Sequence, residues 1–528
     1  MATQTVIELE THQPLVVSNL YETSSQDGRL PEETQRILQA TKPAGFSKAR
    51  TVAVVIHLLG LSLFSSFSNG IIVVGLPAIT GTLQLSEGLL LWPASVFYLT
   101  AGSTLLLTGS LADTVGPKSI NMLGALLGAA FTLGCGFAQT GGELIAFRAL
   151  QGISNAIIVP SSISIISTNV KDGRPRNLGF ACLGLAGPIG FSLGLVLGGV
   201  FIDSIGWRPA FYFVGASTGV LFLVGFWALP HDRSRSAHSV WKRLATEIDW
   251  VGAAVASTGL ATLSYIFATL SADVNNIRDA SSIALLTISV ISIPAFIGWM
   301  HYRVKRNRTA LMPNALWKSL VFTSICIMVL FSTAVTNCIE LYSSLFFQEV
   351  QSASALGASL RILPSLIAGA LINLSAGLFV NRVPVMWSVL ATAVLSTAAP
   401  LIMAVIGPAT PYWYGAFFAQ ILAPLSCDIL FTIGLLVISD VFPPHTQALG
   451  GAVFNTCAQL GTAIGLSVTS LISRAVTDAS EYEDVTSPSA LLTGYKAVFW
   501  TLFAWMALVS VISVPGLRKV GRIGLKRD

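Results

Sequence analysis

Charged residues are scarce in this chain: Asp, Glu, Lys and Arg together make up only 10% of its 528 residues. Soluble globular domains contain about 25% of these residues. Hydrophobic residues contribute 53% of the composition, and the mean hydropathy is +0.72. This balance excludes a soluble enzyme or binding domain and is typical of a protein that lies mostly within a membrane.

The sequence also lacks the short motifs of catalysis and nucleotide binding. It contains no HExxH, GxSxG or GxxxxGK[ST] segment, so neither a hydrolase site nor ATP-driven transport is expected. We therefore predict no enzyme activity, no catalytic residue, no metal site and no cofactor. The six cysteines show no CxxC spacing and fall within apolar segments, which predicts small buried side chains without disulfide or metal chemistry.

Long apolar segments fill most of the chain, and fourteen of them are long enough to cross a membrane as helices. A helix needs about 20 largely apolar residues to span the hydrocarbon core. The pattern therefore predicts an all-α polytopic membrane protein. The predicted spans are 52–77, 89–109, 118–138, 143–168, 177–203, 209–230, 249–271, 281–302, 320–347, 355–380, 385–406, 411–439, 447–473 and 494–515.

Basic residues are concentrated in alternate gaps between these spans. Because cytoplasmic loops carry the excess of Lys and Arg, this alternation places both chain ends in the cytoplasm and supports an even number of spans. The net charge of +5 thus reflects loop topology, and no nucleic-acid partner is expected. The basic residues outside the pattern are Arg208, Arg278, Arg361, Arg474 and Lys496 on the opposite side and Arg148 within a span.

Two glycosylation sequons occur, at Asn307 and Asn373. The first lies in a predicted cytoplasmic loop and the second inside predicted span 10. Glycosylation requires a site that reaches the extracytoplasmic side, so we predict that neither asparagine is modified.

The segment after span 2 contains Gly109, Asp113, Gly116 and Lys118. An ordinary glycine turn explains any two of these residues but not the whole string, which resembles the GxLaDrxGrr gating signature of the major facilitator superfamily. A weaker copy, with glycine and asparagine at 377 and 381, follows span 10. The resemblance implies two six-helix halves, related as parallel repeats and separated by an inserted helix pair.

Two further motifs resemble the fourteen-span drug/proton antiporter branch of this superfamily, especially fungal members that include the aminotriazole-resistance type. Arg148, Gln151 and Gly152 in span 4 match its RxxQG signature, whereas Ser68 stands where the branch commonly has an aspartate. Span 5 resembles the glycine-rich motif of export-type members, and glycines spaced four apart allow close helix contact. The helix-packing residues of this motif are Gly187, Pro188, Gly190, Gly194, Gly198 and Gly199.

The resemblance implies five regions. Residues 1–51 form a cytoplasmic tail, expected from its polar composition to be disordered. Residues 52–230 and 320–515 form the six-helix bundles around a central cavity. Residues 231–319 link them and contain spans 7 and 8, and residues 516–528 form a basic cytoplasmic tail.

The function implied is proton-coupled export of a drug, toxin or secondary metabolite by alternating access. Proton-coupled import, as by siderophore or vacuolar amino acid carriers, and non-transporting nutrient sensing stay open as alternatives. The expected partners are a small-molecule substrate, protons and the lipid bilayer, and the expected state is a monomer. The expected location is the plasma membrane, with the vacuolar membrane as the alternative.

Glu340 and Asp428 are the acids predicted to lie well inside spans, and ionisable groups at such depth are costly unless they serve a function. We predict that they carry the coupled proton together with Arg148, which would face Glu340 when the cavity opens inward. A vestibule position for Glu340 and a structural hydrogen bond for Asp428 form the alternative. The remaining cavity candidates are the polar and aromatic residues Asn69, Tyr98, Gln151, Asn337, Tyr342, Asn455 and Gln459.

Overall fold

A computed structural model describes residues 48–521, apart from short gaps at 86–88, 170–173, 230–241, 245, 247, 273–276, 307, 309, 313, 380–382, 443 and 519. The predicted tails, 1–51 and 516–528, therefore lie largely outside the described residues. Fifteen helices make up the described chain. They are α1 Lys48–Leu83, α2 Trp92–Val115, α3 Pro117–Phe137, α4 Gly141–Asn169, α5 Arg174–Ser204, α6 Arg208–Ala228, α7 Trp250–Ala272, α8 Ala280–Lys305, α9 Leu320–Leu345, α10 Ala355–Phe379, α11 Val385–Val405, α12 Ala416–Leu422, α13 Leu425–Val441, α14 Pro444–Asp478 and α15 Pro488–Leu517.

The predicted all-α membrane architecture is confirmed. Within the described residues, thirteen helices are long and apolar enough to cross a membrane, with α12 and α13 together forming one of them. The remaining predicted span corresponds to α7, whose 23 residues extend about 35 Å at the helical rise of ~1.5 Å per residue.

Predicted span 12, residues 411–439, is not one continuous helix. It begins with a short 3₁₀ turn at Tyr412–Tyr414, continues as α12 and restarts as α13 after Pro424. Proline lacks a backbone N–H and its ring clashes with the preceding turn, so an α-helix breaks there. Span 9 also departs from expectation, because α9 continues as a π-helical turn at Phe346–Val350.

The helices pack as two sets that meet along two seams. In the first set α4 packs against α2 and α3, and α3 against α6; in the second α9 packs against α14 and α15, and α11 against α15. The sets meet where α2 contacts α14 and where α5 contacts α10. At the first seam, a Cβ atom on Gly102 would lie only 3.1 Å from the Cβ atom of Gln459.

Glycines create the same close helix contact in each set. A Cβ atom on Gly194 of α5 would lie 2.8 Å from the carbonyl carbon and Cα of Phe67 on α1. A Cβ atom on Gly461 of α14 would lie 2.7 and 2.8 Å from the corresponding atoms of Leu330 on α9. Because α1 and α9 open the two sets, these matching contacts support the predicted internal repeat.

The inserted pair α7–α8 is fastened by Asp249, which precedes α7 and is 4% exposed. Its Oδ1 accepts hydrogen bonds from the Gly252 backbone N–H at 3.0 Å and from Trp299 Nε1 at 2.9 Å. Its Oδ2 accepts from the Leu311 N–H at 3.4 Å and lies 3.8 Å from Arg303 Nε. One carboxylate thus joins α7, α8 and the segment after α8, while α7 packs against α2 and α14.

The end of the molecule where α1 and α9 finish is called the outer end below, since it is the side predicted to face away from the cytoplasm. Here Asp203, at the end of α5, accepts hydrogen bonds from the N–H groups of Ala355 (3.2 Å) and Leu356 (3.0 Å) at the start of α10. Ser359 Oγ of α10 donates to the Leu195 carbonyl of α5 at 2.8 Å. The two sets are therefore held together at the outer end.

Candidate functional site

The predicted coupling residue Arg148 lies on α4 and is fully buried. Its Nε donates to the Pro93 carbonyl at 2.9 Å, and one terminal nitrogen donates to Asn69 Oδ1 at 2.6 Å. The other terminal nitrogen donates to Gln151 Oε1 at 2.7 Å and Ser68 Oγ at 3.3 Å. All of these acceptors are uncharged, so this buried guanidinium is solvated by the protein without a carboxylate partner among the described residues.

The acceptors around the guanidinium, from Ser68, Asn69, Pro93 and Gln151, are called the Arg148 cage below. A second layer of contacts fixes their orientation. Gln151 Nε2 donates to Thr132 Oγ1 of α3 at 2.8 Å and to Ser68 Oγ of α1 at 3.0 Å. The Arg148 guanidinium carbon lies 4.7 Å from the centre of the Phe97 ring, a distance at which a cation interacts with the aromatic face. Helices α1, α2, α3 and α4 thus converge on one cation.

Residues from the second half close the other side of this site. Asn69, Tyr98 and Arg148 share a small cavity with Asn337 and Leu341 of α9. Its volume is about 10 Å³, roughly the space needed for one water molecule. Asn337 donates to Thr462 Oγ1 of α14 at 3.2 Å. Counting Gln151 of the Arg148 cage, the structure therefore brings together four of the predicted cavity residues, and the conformation is closed around them.

Glu340 lies on α9, three residues after Asn337 and thus near it on the helix surface, and it is 7% exposed. In the described part of the chain its carboxyl group forms no hydrogen bond or ion pair. Arg148 is bonded elsewhere in this conformation. The Arg148–Glu340 pairing hence stays a prediction about another conformational state.

Asp428 lies in the first turn of α13 and is half-buried. It is hydrogen-bonded to Asn373 of α10, which in turn accepts from Thr432 Oγ1 at 3.2 Å. Gly369 of α10 provides room for this carboxylate, because a Cβ atom there would lie 2.5 Å from Asp428 Oδ2. The role of Asp428 in proton coupling, like its structural alternative, stays a prediction.

Three predicted cavity residues lie elsewhere. Tyr342 lines a separate cavity at the outer end. Asn455 donates to the Gly451 carbonyl of its own helix at 2.9 Å. Gln459 lies at the α2–α14 seam. Sequence spacing could not show which of these residues face the central site, because the rotation of each helix is set by the helices packed against it.

The predicted gating motif joins α2 to α3. Gly116 has φ +129°, which favours glycine, and it connects the two helices directly. Lys118 Nζ donates to the Leu229 carbonyl at 3.1 Å, and Arg50 Nε donates to the adjacent Ala228 carbonyl at 2.9 Å, so two cations cap the end of α6. Gly109 lies next to Pro160 of α4.

The side chain of Asp113 lies outside the described residues, as does Asn381 of the weaker copy. The gating assignment stays a prediction.

The glycine motif of α5 serves two neighbours. Gly190, Gly194 and Gly198 face α1, whereas Gly199 faces α10, where a Cβ atom would lie 2.8 Å from the Leu356 Cα. Gly187 has looser surroundings, and Pro188 lies within α5 with its carbonyl accepting from Ser192 Oγ at 2.8 Å. The motif therefore packs helices both within the first half and across the seam.

Sequence reasoning missed Ser68 and Phe97 as partners of the buried arginine, and Thr132 as a partner of Gln151. In the sequence, Ser68 was notable only because it stands where the branch commonly has an aspartate. An available signal was the need of a buried guanidinium for several acceptors, since its own helix supplies Gln151 and neighbouring helices must supply the others.

Two helix sets enclosing a buried cation and a buried carboxyl group, within a fold of membrane-length helices, define a multi-pass membrane transporter. The chain belongs to the major facilitator superfamily, whose family model, described as Major Facilitator Superfamily, matches residues 58–466. This confirms the family that the motifs indicated.

The chain is 38% identical to the MFS-type transporter 1 of Pyricularia oryzae, over 91% of this chain and 86% of that protein. It is 24% identical to the aminotriazole resistance protein of Saccharomyces cerevisiae, over 80% of this chain and 76% of that protein. It is also 24% identical to the efflux pump terJ of Aspergillus terreus, over 87% of this chain and 86% of that protein. These relatives support the drug-efflux type of the superfamily.

Among solved structures, a bacterial homologue of the human lysosomal transporter Spinster, in an inward-facing and unoccupied conformation, has a similar fold. The TM-score is 0.62 at 14% sequence identity, covering 90% of this chain and 98% of the other. This likeness supports the fold.

Proposed function

We propose that this transporter exports a small organic molecule, a drug, toxin or secondary metabolite, in exchange for protons by alternating access. The efflux-pump relative supports the direction of transport. The observation that supports proton coupling is Glu340, a buried carboxyl group with no hydrogen-bond partner among the described residues, on the same helix α9 that supplies Asn337 and Leu341 to the small cavity at Arg148. An acid in such a position within a membrane marks a proton or ion pathway by default.

The two halves supply a physical route for coupling. Opening the outer end would separate Asp203 from α10 and hydrate the region around Glu340, so that its carboxyl group could take up a proton. Opening the inner end would rearrange the cage, and a guanidinium that approaches Glu340 favours loss of that proton to the cytoplasm. Asp428 of α13, the other predicted acid inside a span, is the next carboxyl group on this route.

The five-part division of the chain is part of the proposal. The seams α2–α14 and α5–α10, and the packing of α7 against α8 and against one helix of each set, support two bundles at 52–230 and 320–515 with an inserted pair between them. Both chain ends are placed in the cytoplasm, and the working unit is a monomer in the plasma membrane. A fluorescent fusion distinguishes the plasma membrane from the vacuolar membrane.

A substrate is first found by expressing the chain in a pump-deficient host and testing that host against a panel of toxicants and metabolites. Transport of this substrate is then measured with the purified protein in proteoliposomes. Glu340→Gln should abolish substrate movement driven by a pH gradient but retain downhill substrate exchange, which shows that the protein still folds and binds. Glu143→Gln, an exposed acid in the first turn of α4, is the matched control.

Each alternative predicts a different result. If both Glu340→Gln and Asp428→Asn retain full coupling, the proposed proton route is wrong. Accumulation of substrate on the same side as the incoming protons would favour an importer. A nutrient sensor would bind its ligand and produce no flux in either direction.

A further inference from the structure

A second, larger cavity lies at the outer end, apart from the Arg148 cage. It has a volume of about 490 Å³ and lies between the ends of α1, α9 and α14 and the start of α15. Exposed residues of its lining, Asp478 and Thr486, place its mouth at the surface. This volume is within the range of small-molecule sites.

The charge of the lining is unbalanced. Arg474 and Asp478 form an ion pair at 3.2 Å, one helical turn apart, so their charges offset each other. Glu349 remains as the other acid among the lining residues. It lies in the π-helical turn that ends α9, a type of irregularity that is frequent at functional sites.

Aromatic side chains surround this carboxyl group. Tyr495, which is 5% exposed, donates its hydroxyl group to Glu349 Oε2. The rings of Tyr495 and Tyr342 meet edge to face, with centres 5.5 Å apart, and both line the cavity. Leu76, Leu345 and Leu491 supply apolar surface.

We infer that this outer cavity binds an organic cation that carries aromatic rings. A carboxyl group provides the counter-charge, tyrosine faces attract a cation, and the leucines cover the rings. A small inorganic cation fits poorly, because the space is far larger than one ion and no group of three or more His, Cys, Asp or Glu side chains among the described residues could hold a metal ion. An anion would meet two carboxyl groups and a single guanidinium group that is already paired with one of them. Binding of such a cation at the outer cavity does not depend on whether the protein works as an exporter or an importer.

The test is equilibrium binding of ethidium, a fluorescent aromatic cation, to the purified protein in nanodiscs. Glu349→Gln preserves shape and removes the charge, and we expect it to raise the Kd about tenfold or more, since hydrogen bonds and contacts to charged groups contribute at least that factor. Glu349→Asp should restore most of the affinity. Glu481→Gln, an exposed acid at the same end that does not line the cavity, should leave Kd unchanged.

Further arms separate this cavity from the central site. Phenanthridine, the uncharged ring system, should bind the wild-type protein weakly and should not respond to Glu349→Gln. Glu340→Gln should leave ethidium affinity intact. If Glu340→Gln weakens binding and Glu349→Gln does not, the cation occupies the central site and the inference is wrong. Equal binding of ethidium to the wild-type protein and to Glu349→Gln also overturns it.

Discussion

Replacement of Gly194 by alanine tests whether the first half depends on backbone contact between α5 and α1. The new Cβ atom would lie 2.8 Å from two backbone carbons of Phe67 and nearer still to its carbonyl oxygen. Carbon atoms prefer separations of about 3.5–4.0 Å, so the helices must part by about 1 Å. Because the obstacle is backbone, a rotamer change cannot relieve the clash.

The expected cost follows from this geometry. Overpacking of a well-packed contact costs roughly 1–3 kcal/mol. A gap of ~0.5–1 Å along the rest of the interface loses a quarter to a half of each dispersion contact. Alanine returns up to ~1 kcal/mol as a better helix former than glycine. We therefore expect a net loss of about 2 kcal/mol in the stability of the folded protein.

Gly184→Ala is the matched control, since Gly184 lies on the same helix, is exposed and has no neighbouring atom within 4 Å of a Cβ position. The measurement is the apparent unfolding temperature of the purified variants at one scan rate, with fluorescence-detected size-exclusion chromatography as a check of folding. Gly194→Ala should unfold at a lower temperature than wild type, and Gly184→Ala should not.

The double variant adds a sharper condition. Gly190 meets the Leu63 backbone of α1 in the same way, so both alanines demand the same separation of the helices. Gly190→Ala combined with Gly194→Ala should therefore cost less than the two single losses added together. Equal stability of Gly194→Ala and Gly184→Ala, or full additivity in the double variant, would refute the close helix contact.

Three further predictions concern polar contacts. Asp203→Asn should weaken the outer closure, so that spin labels on the outer ends of α5 and α10 move apart; an unchanged distance distribution would show that this contact does not hold the halves together. Asp249→Ala should lower stability by at least ~2 kcal/mol in thermal unfolding, because it leaves several buried donors unpaired. Asp279→Ala, which removes an acid without a capping bond, should have little effect, and equal effects of the two would contradict the fastening role. Arg148→Lys should abolish transport at normal expression, since one ammonium group cannot serve acceptors on several helices; wild-type flux would contradict the cage.

The sequence by itself was sufficient to predict the class, the fold and the order of the membrane helices. Each span depends on about 20 consecutive apolar residues, and orientation depends on the charges next to them, so both are local properties. Arg148 and Gln151 were also identified from the sequence, through their resemblance to the RxxQG signature of the drug/proton antiporter branch. The prediction of span 12 as one continuous helix was wrong, because Pro424 interrupts an otherwise apolar segment.

Tertiary structure alone decided which distant residues meet. Ser68 and Thr132 reach the Arg148 cage, and Asp203 reaches α10, only after helices far apart in the chain have packed. Glu349 shows the same limit: the sequence places it at the end of a span, whereas the π-helical turn and Tyr495 enclose it in the outer cavity. The physical reason is that the hydrophobic effect which forms the spans has no direction, whereas the contacts that build a site depend on helix rotation and depth.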